Sequence, residues 1–233
     1  MTARIAKEGP IRKKELTEAA FLLFTKDGYE KTTVNAIIEA VGVSKGAFYY
    51  HFESKEALLD SLVQQQVQLI LNIAREVADA LELSAVEKIN MMIARIQAYR
   101  FKNRKRLFKL FEFYLNDDNI RYRHKLEEYT IERALPIYTS IIEQGIAEDS
   151  FHTSNPELAA ELVMRAAPIF RMKMVMLYLD LDRHPENHEK IKSVAIFLEE
   201  AVTKILGLKE GAFKIASSFI HFFSLTDEAR QTK

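Results

Sequence analysis

The sequence predicts an all-α fold, with an amino-terminal helix-turn-helix domain of three helices followed by a larger helical domain. Only 7 glycines and 5 prolines occur among the 233 residues, and the abundant alanine, leucine, glutamate and lysine have high helix propensity. Apolar residues recur at helical spacing along most of the chain, and no run alternates as a half-buried strand does. A chain that is 48% hydrophobic can bury the core of such a fold.

Composition and charge narrow the classes of function. The chain has no cysteine, which excludes disulfides and thiolate metal sites. The charged start, MTARIAKEGPIRKK, lacks the apolar stretch of a signal peptide, and no apolar run approaches the roughly 20 residues that span a bilayer. We therefore expect a cytoplasmic protein without membrane association. The net charge is zero, so a nucleic-acid partner has to be argued from local basic clusters instead.

Glycine and threonine mark the ends of the first two helices. The first helix is predicted from about Pro10 to Asp27, and Gly28 suits the left-handed position just past a helix end. Thr32 and Thr33 are both placed to cap a second short helix that ends near Ala40. Both helices carry one apolar face, so we expect them to pack on a small shared core.

The stretch VGVSKGAFYYHFESKEALL, residues 41–59, predicts a third short helix. Gly42 allows a tight turn and Ser44 caps the helix that follows. Phe48 and Phe52 are four residues apart and turn to the core. Two short helices joined by a glycine turn form a helix-turn-helix unit, whose second helix is presented to the DNA major groove.

The outer face of this third helix suits DNA. Gly46 and Ala47 keep its front thin, so that its backbone can approach the duplex, while the Ser44 cap leaves the first amides near phosphates. The remaining outward residues are basic or aromatic: Lys45, Tyr49, Tyr50 and His51. In the fourth helix, Lys55 stands in the first turn, where the helix dipole disfavours a cation. A neighbouring DNA phosphate would explain that position.

The segment LFTKDGYEKTTVNAIIEAVGVSKGAFYYHFESKEALL resembles the amino-terminal DNA-binding domain of the tetracycline-repressor (TetR) family of bacterial regulators. The resemblance covers residues 10–59, and Ile38 departs from it because the family more often has alanine there. It implies backbone contacts to DNA from Thr33, Tyr49, His51 and Lys55. It implies a groove-facing set formed by Lys45, Gly46, Ala47 and Tyr50. For Tyr49 and His51, a hydrogen bond between helices is the alternative role.

Longer helices follow the helix-turn-helix unit. They are predicted at 54–81, 85–101, 104–115, 118–144, 155–180 and 185–206. The predicted domains are residues 1–53 for DNA binding and 54–206 for effector binding and dimerisation, with 54–81 as the connecting helix. Residues 207–233 form a carboxy-terminal extension with room for one extra helix. Gly145 is expected to break the helix before it.

Two partners besides DNA follow from the helical domain. The helix at 155–180 is apolar almost all round, so it needs cover on more than one side, and the resemblance implies a homodimer interface built from the last two long helices. Aromatic and methionine side chains in the middle of the chain can be ordinary core residues, because both types mostly fill helical cores. The resemblance to the TetR family implies instead that some of them line a pocket for a small, largely apolar effector. Those residues are Tyr99, Phe108, Phe111, Glu112, Asn116, Tyr129, Met164 and Arg165.

The sequence therefore predicts a ligand-responsive transcriptional regulator, and a repressor rather than an activator. It binds a near-palindromic operator as a dimer, with the helix Ser44–His51 in the major groove. No cofactor or metal is expected, since His184 and His188 flank Pro185 without a third ligand nearby. The sequence contains no catalytic motif that would indicate an enzyme, such as a hydrolase in the helical domain. The alternative is a helical protein–protein interaction module that does not bind DNA.

Overall fold

The computed structural model describes residues 2–231, and the side chains of these residues except 2–8, 10 and 227–231. Over that range the chain forms α-helices and one turn of 3-10 helix, Asp117–Asn119, with no strand, which confirms the all-α prediction. The helices are α1 Thr2–Asp27, α2 Val34–Val41, α3 Lys45–His51, α4 Lys55–Ala78, α5 Ala85–Lys102, α6 Arg104–Leu115, α7 Ile120–Ala147, α8 Pro156–Leu179, α9 Asn187–Leu206 and α10 Ile215–Gln231. None of the helices in this range is both long enough and apolar enough to cross a bilayer.

Several helix limits differ from the prediction. The connecting helix α4 ends at Ala78 rather than at residue 81, and α7 begins at Ile120 rather than at residue 118. α1 begins at Thr2 rather than near Pro10, because the residues before the proline are mostly good helix formers. α9 begins at Asn187 rather than at Pro185. α7 continues through Gly145 to Ala147, although the glycine was expected to break it. A Cβ on Gly145 would lie 2.4 Å from the Phe151 ring, so glycine is needed there for close packing.

The chain forms two compact units. The first unit consists of the residues up to Gln68 together with Phe108–Tyr129. It therefore extends beyond residue 53, where the sequence placed the end of the DNA-binding domain. The reason is aromatic packing: Phe113 is fully buried and its ring lies 6.5 Å from that of Phe24 and 4.5 Å from that of Tyr122. The core of the first unit contains Leu16, Ala20, Phe24, Tyr29, Ile37, Phe48, Phe52, Leu58, Leu59, Leu62, Val63, Phe113 and Tyr122.

The end of α1 is held by contacts that converge on one residue, Tyr29, which we call the Tyr29 junction. The Tyr29 N–H donates to Asn119 Oδ1 at 2.7 Å, and its carbonyl accepts from Lys55 Nζ at 2.8 Å. Its hydroxyl donates to Glu56 Oε2 at 2.7 Å. Gly28 makes the turn into the junction with a left-handed φ of 84°, a conformation that glycine adopts without steric cost.

Asn119 connects the junction to the segment at 108–129. Its side chain is fully buried, and its amide nitrogen donates to the carbonyls of Phe24 at 3.1 Å and Phe113 at 2.9 Å. Together with the bond from Tyr29, both amide donors and the amide oxygen are used. One side chain thus joins the end of α1 to the end of α6.

The second unit consists of Leu69–Leu107 and Thr130–Lys233. Within it α8 packs on α9, and α10 packs on α9 and α5. Its buried Lys88 donates to the carbonyl of Ala78 at 2.7 Å, at the end of α4, and to Gln144 Oε1 at 2.8 Å. The core of the second unit includes Ala74, Val77, Met92, Ile141, Ile142, Phe151, Ala160, Leu198, Val202, Leu206 and Phe213.

Replacing Asn119 by alanine should destabilise the first unit. The variant removes the partner of the buried Tyr29 N–H and one donor from each of two carbonyls, of which that of Phe24 still accepts from the Gly28 N–H at 3.1 Å. A buried group left unsatisfied costs about 1–3 kcal/mol. We expect Asn119→Ala to lower the free energy of unfolding in urea by roughly 2–4 kcal/mol. The control is Asn116→Ala, because Asn116 only caps the 3-10 turn through Asp118 N–H at 2.9 Å, which is worth about 1 kcal/mol. Equal losses in both variants would contradict this role of Asn119.

Candidate nucleic-acid interface

The turn between α2 and α3 is built by local caps. Thr33 Oγ1 accepts from Ala36 N–H at 3.1 Å at the start of α2, and Ser44 Oγ accepts from Ala47 N–H at 3.1 Å at the start of α3. Gly42 ends α2 with φ 72° and ψ 38°. These contacts confirm the predicted caps and turn, and they show that α2 and α3 form the expected helix-turn-helix unit.

The two faces of α3 have opposite environments. Phe48 is fully buried and Phe52 is 4% exposed, with their ring centroids 5.9 Å apart. In contrast, Tyr50 is 78% exposed and Tyr49 is 45% exposed. Because the phenylalanines anchor one face in the core of the first unit, the two tyrosines are directed to solvent.

The exposed face of α3 combines one cation with aromatic rings. Lys45 is exposed, and its Nζ lies 6.0 Å from the centroid of the Tyr49 ring. His51 is half-buried, and its ring lies edge-on to that of Tyr50 with centroids 4.9 Å apart. A lysine on a short helix can donate to the guanine acceptors of the major groove, and tyrosine and histidine can donate to phosphate oxygens.

Gly46 is exposed at the front of α3, and nothing among the described residues requires a glycine there. Its φ is not in the left-handed region, and an added Cβ would meet only Ser44 Oγ at an ordinary 3.8 Å. Glycine inside a helix costs roughly 0.5–1 kcal/mol relative to alanine. The first unit thus retains a residue that destabilises α3, and this residue stands at the exposed front of the helix, where another molecule can come close to the α3 backbone.

Lys55 has partners inside the protein that the sequence did not reveal. Its ammonium donates to the carbonyls of Tyr29 at 2.8 Å and Thr32 at 2.9 Å, and lies 4.2 Å from the centroid of the Tyr29 ring. Burial lowers the pKa of Lys55. The cation in the first turn of α4 is therefore explained by the loop after α1, without the DNA phosphate that the sequence suggested. A DNA contact from Lys55 stays a prediction.

Ion pairs connect Glu56, which accepts the Tyr29 hydroxyl bond, and its neighbour Asp60 to residues of α7. Lys125 of α7 lies 2.8 Å from Glu56 and 2.6 Å from Asp60, and Arg121 lies 3.5 Å from Glu56. The hydrogen bonds that Glu56 accepts from Lys125 and Tyr29 lower its pKa. Since Glu56 and Asp60 belong to α4, these pairs join the start of α4 to the start of α7.

The predicted effector residues divide between the two units. Phe108, Phe111, Glu112, Asn116 and Tyr129 belong to the first unit, and Tyr99, Met164 and Arg165 belong to the second. The Phe108 and Phe111 rings meet edge-on at 6.2 Å, and Tyr129 packs against the core of the first unit. No single compact unit contains the whole set, and its role in ligand binding stays a prediction.

The three polar members of that set have different surroundings from those expected. Glu112 is exposed, although the sequence placed it among apolar neighbours. Asn116 caps the 3-10 turn. Arg165 Nε donates to Glu161 Oε1 at 2.8 Å, one turn away on α8. Sequence neighbours predicted burial poorly here, because α6 and α8 each have one face turned to solvent.

One polar pair on α5 was not predicted from the sequence. Gln97 is 7% exposed, and its Oε1 accepts from Nη1 of the half-buried Arg100 at 3.4 Å. Arg100 opens a basic run at 100–109, and such runs are typical of a solvated surface. The available signal was the helical spacing, since Gln97 lies one turn and Arg100 two turns after Ile93 on the apolar side of α5.

Among the described residues, no group of three or more histidine, aspartate or glutamate side chains is arranged to hold a metal ion. His184 lies 3.1 Å from Glu186 and 3.7 Å from Asp180.

Comparison with known proteins links the segment around α2 and α3 to one family. Residues 16–62 match the model for bacterial regulatory proteins of the tetR family. The chain is 26% identical over 172 residues to the HTH-type transcriptional repressor KstR2 of Mycobacterium tuberculosis, covering 70% of this chain and 78% of that protein. It is 37% identical over 70 residues to the uncharacterized HTH-type transcriptional regulator YerO of Bacillus subtilis, a match that covers only 24% of that protein.

Two solved structures share the fold of most of this chain. SmeT, the repressor of the Stenotrophomonas maltophilia multidrug efflux pump SmeDEF, superimposes with a TM-score of 0.61 at 16% identity, over 87% of this chain and 93% of that chain. The SmeT–triclosan complex gives a TM-score of 0.62 at 18% identity, over 87% and 94%. At these identities the likeness concerns the fold.

Replacing Lys55 by methionine should destabilise the first unit, because the carbonyls of Tyr29 and Thr32 lose their shared donor. We expect a loss of about 1–3 kcal/mol in the free energy of unfolding, measured in urea. The control is Lys45→Met on the exposed face of α3, which should change stability by no more than about 0.5 kcal/mol. If Lys55→Met unfolds at the same urea concentration as the unmodified protein, the carbonyls do not depend on Lys55.

Proposed function

Because this chain belongs to the TetR family of transcriptional regulators, we propose that it is a cytoplasmic repressor that binds a near-palindromic operator as a homodimer. The observation that carries the proposal is the exposed face of α3, with Tyr50 78% exposed opposite the fully buried Phe48. A helix held in this way enters the major groove with its outer side chains against the bases.

We assign the outer residues of the helix-turn-helix unit to two tasks. Lys45 reads a base, since its ammonium can donate to guanine O6 and N7, and Tyr50 lies beside it in the groove. Thr33, Ser44, Tyr49 and His51 position the unit on the phosphate backbone. Gly46 and Ala47 let the backbone of α3 approach the duplex. The alternative function, a helical protein–protein interaction module, does not require a glycine at this exposed position.

The dimer is supported by an apolar stripe on α8. Leu158, Leu162, Ile169 and Met176 are 61%, 54%, 69% and 54% exposed, and at about 100° per residue they fall within roughly 40° of one another around the helix. On α9, which packs against α8, Phe197 is 56% exposed. Contiguous apolar surface of this kind marks an interface. A second copy of the chain gives two-fold symmetry, which the operator then shares.

Regulation by a small molecule requires a physical link from the second unit to α3. Three helices, α4, α6 and α7, each contribute residues to both units. A ligand that favours one arrangement of the second unit therefore biases the spacing of the two DNA-reading helices in the dimer. Almost complete release of DNA requires a preference of about 5.5 kcal/mol for the released arrangement. The name of the related KstR2, a transcriptional repressor, supports repression as the sense of regulation.

The variant Gly46→Ala should change protein stability and operator affinity in opposite directions. Alanine should raise the free energy of unfolding by roughly 0.5–1 kcal/mol, since glycine is the poorer helix former. It should lower affinity for an operator, selected from random duplex DNA, by about tenfold or more, which corresponds to at least about 1.4 kcal/mol. A fluorescence anisotropy titration and a urea melt measure the two effects.

The matched control is Ala94→Ser, a change of similar size on the exposed side of α5. It should leave operator affinity unchanged. Unchanged operator affinity in Gly46→Ala would mean that α3 does not approach DNA through this position.

Ile169→Glu tests the dimer. The side chain is 69% exposed in the single chain, so the variant should fold, but a glutamate buried in the interface without a partner costs several kcal/mol. Sedimentation should show a monomer with weakened operator binding. Leu81→Glu, at a position that is 93% exposed outside α8 and α9, should remain dimeric. A stable dimer of Ile169→Glu would exclude this stripe as the interface.

A further inference from the structure

The polar pair on α5 belongs to a larger group inside the second unit. Arg100 Nη1 donates to Gln97 Oε1 at 3.4 Å, and the charge of Arg100 is also influenced by Arg171 of α8 and Tyr138 of α7. All four residues belong to the second unit. Three helices thus bring polar groups together within one compact body.

The hydrogen bonds of this group are incomplete. Gln97 is 7% exposed, and its amide nitrogen is buried with no hydrogen-bond partner among the described residues. A buried donor without a hydrogen-bond partner is uncommon in native proteins and calls for an explanation. The amide nitrogen of Gln97 is therefore a donor available to a ligand.

Arg100 itself has no carboxylate among the described groups that act on its charge. Those groups among the described residues are Arg171 and the Tyr138 phenol. Burial, with the nearby Arg171 charge, lowers the pKa of Arg100 to about 9. A guanidinium that is partly covered by the protein, as Arg100 is, commonly pairs with a carboxylate or another anion. Arg100 is therefore a cation available to an anionic ligand.

Apolar side chains adjoin the same positions. Ile93, one turn before Gln97 on α5, packs against the core of the second unit while remaining half-buried, as do Tyr138 of α7 and Phe170 of α8. Phe170 directly precedes Arg171 in the chain. A ligand reaching the polar group would therefore meet apolar surface beside it.

We propose that Arg100 and Gln97 form the polar end of the effector site, and that the effector is a carboxylic acid with an apolar body. The carboxylate accepts from the Arg100 guanidinium and from the Gln97 amide nitrogen, and the apolar body contacts the side chains beside them. This inference rests on the proposed function, because it assumes a small-molecule effector. It replaces the largely apolar effector expected from the sequence with an amphipathic acid.

Binding of matched acids and alcohols tests the proposal. Decanoate and decanol form one pair, and naphthoate and naphthalenemethanol form a second pair with an aromatic body. Calorimetric titration of the full chain should show that at least one acid binds about tenfold more tightly than its neutral partner, since a charge-assisted pair is worth about 1.5–3 kcal/mol. If neither acid is preferred over its alcohol, the proposal is overturned.

Arg100→Met should abolish the preference for the acid while leaving binding of the alcohol within about twofold. Arg95→Met is the control, because Arg95 lies on the same helix but pairs with Glu76 on the surface. It should retain the preference. Gln97→Leu provides a second variant, which should fold because it replaces an unsatisfied amide by an apolar group, and it should reduce the preference. An acid preference that survives in both Arg100→Met and Gln97→Leu would overturn the assignment.

Operator binding by the ligand-free variants distinguishes this inference from the proposed function. Arg100→Met and Gln97→Leu should bind the selected operator as the unmodified protein does, because neither residue belongs to the helix-turn-helix unit. If the unmodified protein binds the operator but shows no acid preference, the acid assignment alone is overturned. Failure of the unmodified protein to bind any selected duplex would overturn the proposed function itself.

Discussion

The geometry of the first unit depends on how α1 ends. At Tyr29 the backbone N–H, the backbone carbonyl and the side-chain hydroxyl are each held by a different side chain, Asn119, Lys55 and Glu56. These partners come from α4 and from the segment at 108–129. A helix end is costly to bury unless its polar groups find partners. Because the Tyr29 junction supplies them, α1 can stop inside the packed unit and α2 and α3 can start from a defined position.

The presentation of α3 and its proposed control both follow from this constraint. Phe48 anchors the inner side of α3 in the core to which Tyr29 and Phe113 also belong, so the outer side is fixed relative to the junction. Asn119 lies between α6 and α7, which continue into the second unit. Under our proposal, an effector acts on α3 through these shared helices.

The sequence predicted the features whose causes are local. The caps at Thr33 and Ser44 depend on residues three positions away. It could not predict the partners of Lys55, because the carbonyls that explain this cation lie some twenty-five positions earlier and meet it only in the folded chain. The partial burial of Arg100 was missed for the same reason, since a basic residue is solvated unless tertiary packing covers it.

The central claim is that the exposed face of α3 binds DNA in a two-fold symmetric complex. Selection of duplexes from a random pool by the full-length protein, followed by hydroxyl-radical footprinting of the enriched sequence, tests it most directly. Our account predicts an inverted repeat whose two protected half-sites have their centres about 34 Å apart or somewhat more. It also predicts that affinity falls steeply with salt. Failure to enrich any sequence, or a single protected site without symmetry, would contradict the account.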